Sequence, residues 1–509
     1  KKMGQDILER PSKEAGESPD DQSSSVLTVR NPQMLKENLK TKEAAGEIYF
    51  KLKKTPPNNL DIEEIVLHLQ DPSIKETPII YLNWESDAEK DAYLQNIKKW
   101  LESNKARKTL FDAKSSILGC RQQGIHLEGV ENDLMLMSYL LNPSRPQNDL
   151  LDFISEHIDF RASSKDEIVQ KSLMIKNFSM LAVKFRGQLM EKGMWALYKD
   201  LELPLCGVLA DMETKGVRLD KKILEEIGAE LDVRIKELTS KIYEMSGEKF
   251  NINSPKQLGE ILFSKLGLTH GKKTKTGYST NAEVLENLAK ENEIVAEILM
   301  YRQLSKIKST YIDGLGSMID QKTDRIYTSF NQTVTATGRL SSTEPNLQNI
   351  PIRMEEGRRL RRAFVTEPGF CLLSADYSQI ELRVLAHLAQ DQVLIEAFHH
   401  GQDIHSRTAA EVFGIPIESV SKEMRRAAKA VNFGIVYGIS DYGLSQDLGI
   451  SRAEAKEYID SYFRRYQGVK KYIDGIIEEA RERGYVTTIL NRRRYLPEIK
   501  SRNYNLRSF

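Results

Sequence analysis

The sequence predicts a multi-domain protein: an α/β domain followed by a larger, mostly helical α+β region. Three observations carry this. The chain has 509 residues, more than a single hydrophobic core accommodates. Between about residues 31 and 195, short apolar stretches alternate with helical patterns, which is the signature of an α/β layer. Beyond about residue 200, long heptad-like patterns take over, and only brief strand-like stretches interrupt them.

Taken in order, residues 1–30 are rich in Ser, Glu and Asp and read as a flexible leader. The Lys-Lys-Met start has no apolar signal-peptide core and reads as a cut end. Ile48-Tyr49-Phe50 and Ile79 to Leu82 are strand-like; Leu134 to Leu141 and Leu173 to Leu189 are helix-like. Leu203 to Asp211 opens the second region, and Ile223 to Met245 interleaves Glu and Lys with Ile and Leu as a long helix does. Residues 251–280 are basic. Ile326 to Phe330 and Phe370 to Asp376 read as strands, and residues 384–506 as mostly helical.

Bulk properties exclude some classes. Charged residues make up 29% of the chain, yet the net charge is only +1, so a nucleic-acid partner requires locally clustered cations. The clusters are Lys272-Lys273-Thr274-Lys275, Arg358 to Arg362 and Arg492-Arg493-Arg494; each alone reads first as a solvated surface run. Cys120, Cys206 and Cys371 form no C-x-x-C pair. Cys206 and Cys371 lie in apolar runs and read as buried reduced thiols in a cytoplasmic protein, which argues against a zinc site. No run of about 18 apolar residues suggests a membrane span.

The chemistry concentrates between residues 370 and 438. Arg425, Lys429, Phe433 and Tyr437 recur every four residues. On a helix they share one stripe, two cations followed by two rings. Cations suit a triphosphate, and rings suit a base and its sugar. An amphipathic helix with a solvated basic end has the same pattern. Upstream, Phe370-Cys371-Leu372-Leu373-Ser374-Ala375-Asp376 reads as an apolar strand ending in a carboxylate, placed to hold a divalent metal against phosphate oxygens. That carboxylate could equally be a favourable charge at a helix start.

Together these segments resemble motifs A and B of the family A DNA polymerases. Thr335-Ala336-Thr337-Gly338-Arg339-Leu340-Ser341-Ser342-Thr343-Glu344-Pro345-Asn346-Leu347-Gln348-Asn349 resembles that family's primer-template-binding signature. The resemblance runs from about Leu203 to the last residue. It implies a ribonuclease H-like exonuclease-type domain over 31–195, then a right-hand polymerase. The thumb with the start of the palm falls at 196–325, the palm with motif A at 326–383 and the fingers with motif B at 384–509. It implies a monomer that extends primer-template DNA with deoxynucleoside triphosphates and two Mg2+ ions, in replication and repair.

The resemblance also assigns roles. Asp376 and the Tyr377 carbonyl become metal ligands, and Arg425, Lys429 and His405 meet the phosphates. Glu381 becomes a steric gate against a ribose 2′-hydroxyl. Gln379 and Phe433 line the nucleotide, with Phe433 disfavouring dideoxynucleotides, and Tyr437 sits at the templating base. Arg339, Asn346, Gln348, Thr335 and Lys306 contact DNA. A single-subunit RNA polymerase and a non-catalytic DNA-binding scaffold remain the alternatives. Glu381 and Phe433 favour DNA synthesis over the first, and intact motifs A and B argue against the second.

Two departures stand out. Lys51 and Lys53 occupy the places of the first exonuclease motif's carboxylates, and Ser116 the place of the second motif's Asp. No Tyr-x3-Asp follows between Lys171 and Tyr198. The domain therefore reads as vestigial and without proofreading. The His-Asp-Glu of the third polymerase motif is also missing, so the C-terminal palm portion and its metal-binding Asp are expected to be absent from this chain.

Overall fold

The computed structural model describes residues 26–28, 44–55, 59–70, 79–145, 150–158, 167–268, 273–274, 277–352, 354–503 and 507. Lys272 and Lys275 of the first basic cluster lie outside these residues, as does most of the expected leader.

The α/β region is a mixed six-stranded sheet. Its strands are β1 (Val26–Thr28), β2 (Gly46–Thr55), β3 (Asn59–Leu69), β4 (Ile79–Asn83), β5 (Lys108–Leu110) and β6 (Val130–Asp133). Their order is β1-β4-β3-β2-β5-β6. β2, β3 and β4 form an antiparallel meander, while β5 and β6 continue parallel to β2 and β1 pairs parallel with β4. Residues 26–28, expected in the leader, are thus an edge strand. Parallel neighbours need crossovers, and the helix Ala113–Gln122 makes the one between β5 and β6. Ile48, Ile62, Ile65, Val66, Leu67 and Leu82 are fully enclosed in the first core, which continues past residue 195 to Tyr198 and Cys206.

The helix expected over Leu173 to Leu189 is two helices, Glu167–Lys176 and Phe178–Glu191. Asn177 separates them: its side-chain amide donates to the Leu173 carbonyl at 2.7 Å, the competition with backbone bonding that makes Asn a poor interior helix residue.

Three further cores follow. The long helix Lys221–Ser246 is capped by Asp220, which accepts from the N–H groups of Lys222 and Ile223, and it stops at left-handed Gly247. Its first half packs into a core with Leu304, Ile307, Tyr311, Ile326 and Leu360. Its far end joins a separate core with Leu258, Leu262, Leu285 and Ile298. The last core is helical, with Leu382, Leu394, Ile404, Val431, Ile435, Tyr462 and Tyr466 enclosed.

One expected element is not formed. Phe370 to Asp376 is an irregular stretch rather than a strand, with Phe370 70%, Leu372 67% and Leu373 90% exposed. A strand exists only through its ladder, and among the described residues no strand pairs with this segment. Cys371 is exposed for the same reason, against the expectation of a buried thiol, whereas Cys120 and Cys206 are buried.

Gly216 ends the helix Leu203–Lys215 at φ 60° and ψ −174°, a region essentially restricted to glycine. A Cβ there would lie 2.6 Å from the Tyr327 ring and 2.7 Å from the Ile326 carbonyl. Gly216→Ala is expected to cost about 1–3 kcal/mol and to lower the thermal unfolding midpoint; an unchanged midpoint contradicts the strain.

Candidate active site

Two helices build the site, Ile380–Ala389 and Lys422–Val436. Ser421 starts the second by accepting from the Met424 N–H. Its inner face, Ala428, Val431, Asn432 and Ile435, is buried, and Arg425 and Lys429 stand exposed on the other side. The stripe expected from sequence is therefore present. Tyr437 lies just beyond the helix as its C-cap, still on the stripe. Lys429 Nζ sits 5.8 Å from the Phe433 ring centroid.

His405 joins this face from the helix Ile404–Phe413. Its ring lies 5.7 Å from that of Phe433. The ring is 3% exposed, and burial, with Arg425 and Lys429 nearby, lowers its pKa against the opposing pull of Asp403. Asn432 Nδ2 lies 3.2 Å from His405 Nδ1. The Asn432 amide also meets the Thr408 hydroxyl, its Oδ1 at 3.2 Å and its Nδ2 at 3.1 Å. Burial thus disfavours the charged imidazolium, and one ring nitrogen faces the Asn432 amide.

Asp403 and Asn432 are the residues that sequence reasoning missed. Asp403 caps the His405 helix through the N–H groups of His405 and Ser406. Its Oδ2 also accepts from Arg425 Nε at 2.9 Å and Nη2 at 2.6 Å, and these contacts hold its carboxyl below the usual range despite partial burial. An Asp directly before an apolar helical run was a legible cap signal; its second role across 22 residues was not.

Glu381 is half-buried and accepts from the Tyr437 hydroxyl at 2.9 Å, joining the two helices at the end of the stripe. Gln379 precedes its helix in a left-handed conformation. Asp376 accepts from the Tyr377 N–H at 2.9 Å, and no cation pairs with it among the described residues. It does not end a strand as expected. An exposed carboxylate beside a main-chain carbonyl suits a hard cation that keeps several waters and shares phosphate oxygens. Among the described residues, no group of three His, Cys, Asp or Glu could hold a metal by itself.

The remaining expected residues lie apart from the stripe. Arg339 is exposed just before the strand Ser341–Thr343, and Asn346 and Gln348 just after it; Asn346 Oδ1 accepts from the Gln348 N–H at 3.0 Å, and Gln348 donates to the Leu340 carbonyl at 3.2 Å. Thr335 donates to the Arg339 carbonyl at 2.6 Å. Lys306 is exposed near the end of the helix Glu293–Ile307. Arg492 is not a solvated surface cation: its side chain is only 13% exposed and paired with Glu202. Arg493 lies 4.4 Å from the Tyr485 ring centroid and donates to the Lys192 carbonyl at 3.2 Å.

In the α/β region Lys51 lies 3.9 Å from both Glu63 and Glu64 and 4.0 Å from Glu167, and Lys53 lies 3.6 Å from Glu63. The carboxylates near these lysines are consumed by ion pairs. Ser116 is buried and donates to the Asp112 carbonyl at 2.8 Å.

Residues 221–509 match DNA polymerase family A, and residues 74–171 match the DNA polymerase I, ribonuclease H-like domain. The chain belongs to DNA polymerase family A. It is 51% identical over 428 residues to DNA polymerase I of Geobacillus stearothermophilus and 48% identical over 433 residues to that of Bacillus subtilis. Each alignment takes in 81% of this chain and 49% of the relative, so the chain spans about half the length of the curated relatives it matches. The fold is that of the POL domain of Pol1 from M. smegmatis, solved in complex with DNA primer-template and dNTP. The TM-score is 0.82 at 34% identity, over 95% of this chain and 83% of that one.

Because its pKa is lowered, His405 contributes stability that is present above the unfolded value of 6.5 and lost as pH falls below it. His405→Gln is expected to flatten the acid-side fall in melting temperature between about pH 7 and 5; an unaltered pH profile contradicts a buried neutral ring.

Proposed function

We propose that the protein carries out template-directed DNA synthesis, adding deoxynucleotides to a primer 3′-hydroxyl. The observation that carries this is the single face on which Arg425, Lys429, Phe433, Tyr437, His405 and Glu381 converge, in a chain that belongs to family A. The reaction class is two-metal nucleotidyl transfer with two Mg2+ ions; Asp376 and the Tyr377 carbonyl would hold metal, and the third motif's Asp, which this sequence lacks, would be the further ligand. Bound magnesium neutralises phosphate oxygens.

The protein's own groups do the rest. Lys429 and Arg425 meet the negative charge that develops on the leaving pyrophosphate. Arg425 keeps a second partner in Asp403, so a ligand competes with an existing ion pair for it. His405 offers a ring N–H to a phosphate oxygen. Phe433 packs against the sugar, with no hydroxyl to stand in for a missing 3′-OH. Glu381, held by Tyr437, fills the space of a ribose 2′-hydroxyl. Gln379 shapes the start of the gate helix. Arg339, Asn346, Gln348 and Thr335 meet minor-groove and backbone atoms, and Lys306 meets phosphate, contacts that read no sequence. The protein works as a monomer in replication and repair, without proofreading.

Primer extension by the native protein tests this. Lys429→Ala is expected to slow single-nucleotide incorporation by roughly 10²–10³, as loss of one preorganised transition-state donor does; a change within about twofold overturns the triphosphate assignment. Phe433→Tyr is expected to leave normal synthesis intact while strongly raising dideoxynucleotide use, read by chain termination on a defined template. With magnesium and no nucleotides, a mismatched primer is expected to keep its length, because Lys51 and Lys53 stand where metal ligands are needed; steady shortening contradicts the absence of proofreading.

A further inference from the structure

The loop that presents Arg339, Asn346 and Gln348 does not hold its own shape. Residues 329–331 and 341–343 form a three-residue antiparallel ladder, too short to fix residues 332–340 between its strands or 344–348 beyond them. Side chains of the α/β domain supply the fixing. Lys54, at the end of β2, pairs with Glu344 and donates to Ser329 Oγ at 3.2 Å. Lys114 donates to the Phe330 carbonyl at 3.0 Å and pairs with the buried Glu213. Glu213 in turn accepts from the Phe330 N–H at 2.7 Å. Tyr139, enclosed in the first core, donates its hydroxyl to the Thr335 carbonyl at 2.7 Å.

The far side of the loop is closed as firmly. Gly338, at φ 85°, lies against Arg492, and a Cβ there would sit 2.4 Å from Arg492 Nε. Arg492 pairs with Glu202, which also accepts from Gln332 Nε2 at 3.0 Å. Thr335, held from below by Tyr139, donates to the carbonyl of Arg339. The exposed guanidinium of Arg339 therefore stands on a backbone whose position Tyr139 sets.

We propose that the exonuclease-like domain acts as a brace for the DNA-contact loop, with Tyr139 and Lys54 as positioning residues for Arg339, Asn346 and Gln348. This rests on the proposed DNA-binding role of that loop. The brace explains how a sheet without a metal-binding carboxylate cluster among its described residues still serves the polymerase portion. It acts through affinity for primer-template rather than through the chemistry of incorporation, because neither residue lies on the Lys429 face.

The test is binding of a fluorescent primer-template duplex to the native protein, with steady-state incorporation alongside, for Tyr139→Phe, Lys54→Met and Arg339→Ala. Tyr139→Phe removes one hydroxyl and keeps the ring in the core. It is expected to weaken duplex binding and raise the KM for primer-template by about fivefold, the size of one net hydrogen bond, with kcat within about twofold. The salt dependence of binding is expected to stay the same, because no phosphate-binding charge is removed. Lys54→Met is expected to show the same split, and Lys54→Arg to restore it. Weaker binding by Arg339→Ala with wild-type binding by Tyr139→Phe and Lys54→Met overturns the brace and leaves the polymerase assignment standing. Unchanged binding by Arg339→Ala overturns the brace as well. Absence of duplex binding by the unsubstituted protein overturns the polymerase assignment, and the brace with it.

Discussion

A helix can offer Arg425, Lys429 and Phe433 to a ligand only if it cannot roll about its own axis, and Asn432 prevents the roll. Its amide is fully buried and bonded to both His405 and Thr408. Thr408 is also 3.3 Å from the buried Tyr466 hydroxyl. Turning the helix by one residue would strand these polar atoms in an apolar core, and each stranded group costs about 1–3 kcal/mol. The same network holds the His405 ring in place, so the exposed chemistry and the buried polar cluster are two sides of one constraint. Gly434 tightens it further, since the Ile439 side chain occupies the space a Cβ would need.

The sequence disclosed local and periodic features well. The four-residue spacing of Arg425, Lys429, Phe433 and Tyr437 survives as a stripe because an apolar inner face and a Ser cap act within the helix itself. Ile48 to Phe50 and Ile79 to Leu82 are strands because short apolar runs rich in β-branched and aromatic residues suit a sheet surface. The failures share a cause. Phe370 to Asp376 has the composition of a strand, but a strand's existence is a property of its neighbours, and local composition does not contain them. Arg492 looked like part of a solvated cluster because Glu202 lies far away in sequence. Asp403 was missed because a cap signal does not announce a second bond to Arg425.

Charge is organised to the same logic throughout. A net charge of +1 conceals a division between cations already committed and cations left open, with Arg425, exposed yet paired with Asp403, in both groups. Lys114, Lys171 and Arg492 are tied to carboxylates inside the fold. Lys429, Arg339 and Lys306 stand exposed on the faces where an anionic polymer and its precursors would lie. The division matters more than the sum, since screening weakens exposed charges and leaves buried pairs nearly untouched.

The contacts of Tyr139 and Lys54 have a temporal side as well. Every residue of the first core, from Ile48 to Cys206, precedes the loop that it steadies. On a ribosome, N-terminal domains fold as units before later segments emerge. The hydroxyl of Tyr139 and the ammonium of Lys54 are therefore in place when residues 329–349 leave the exit tunnel. That loop can condense onto a finished surface instead of searching for its shape alone, so the domain that precedes it in the chain can serve as a mould for the part that follows.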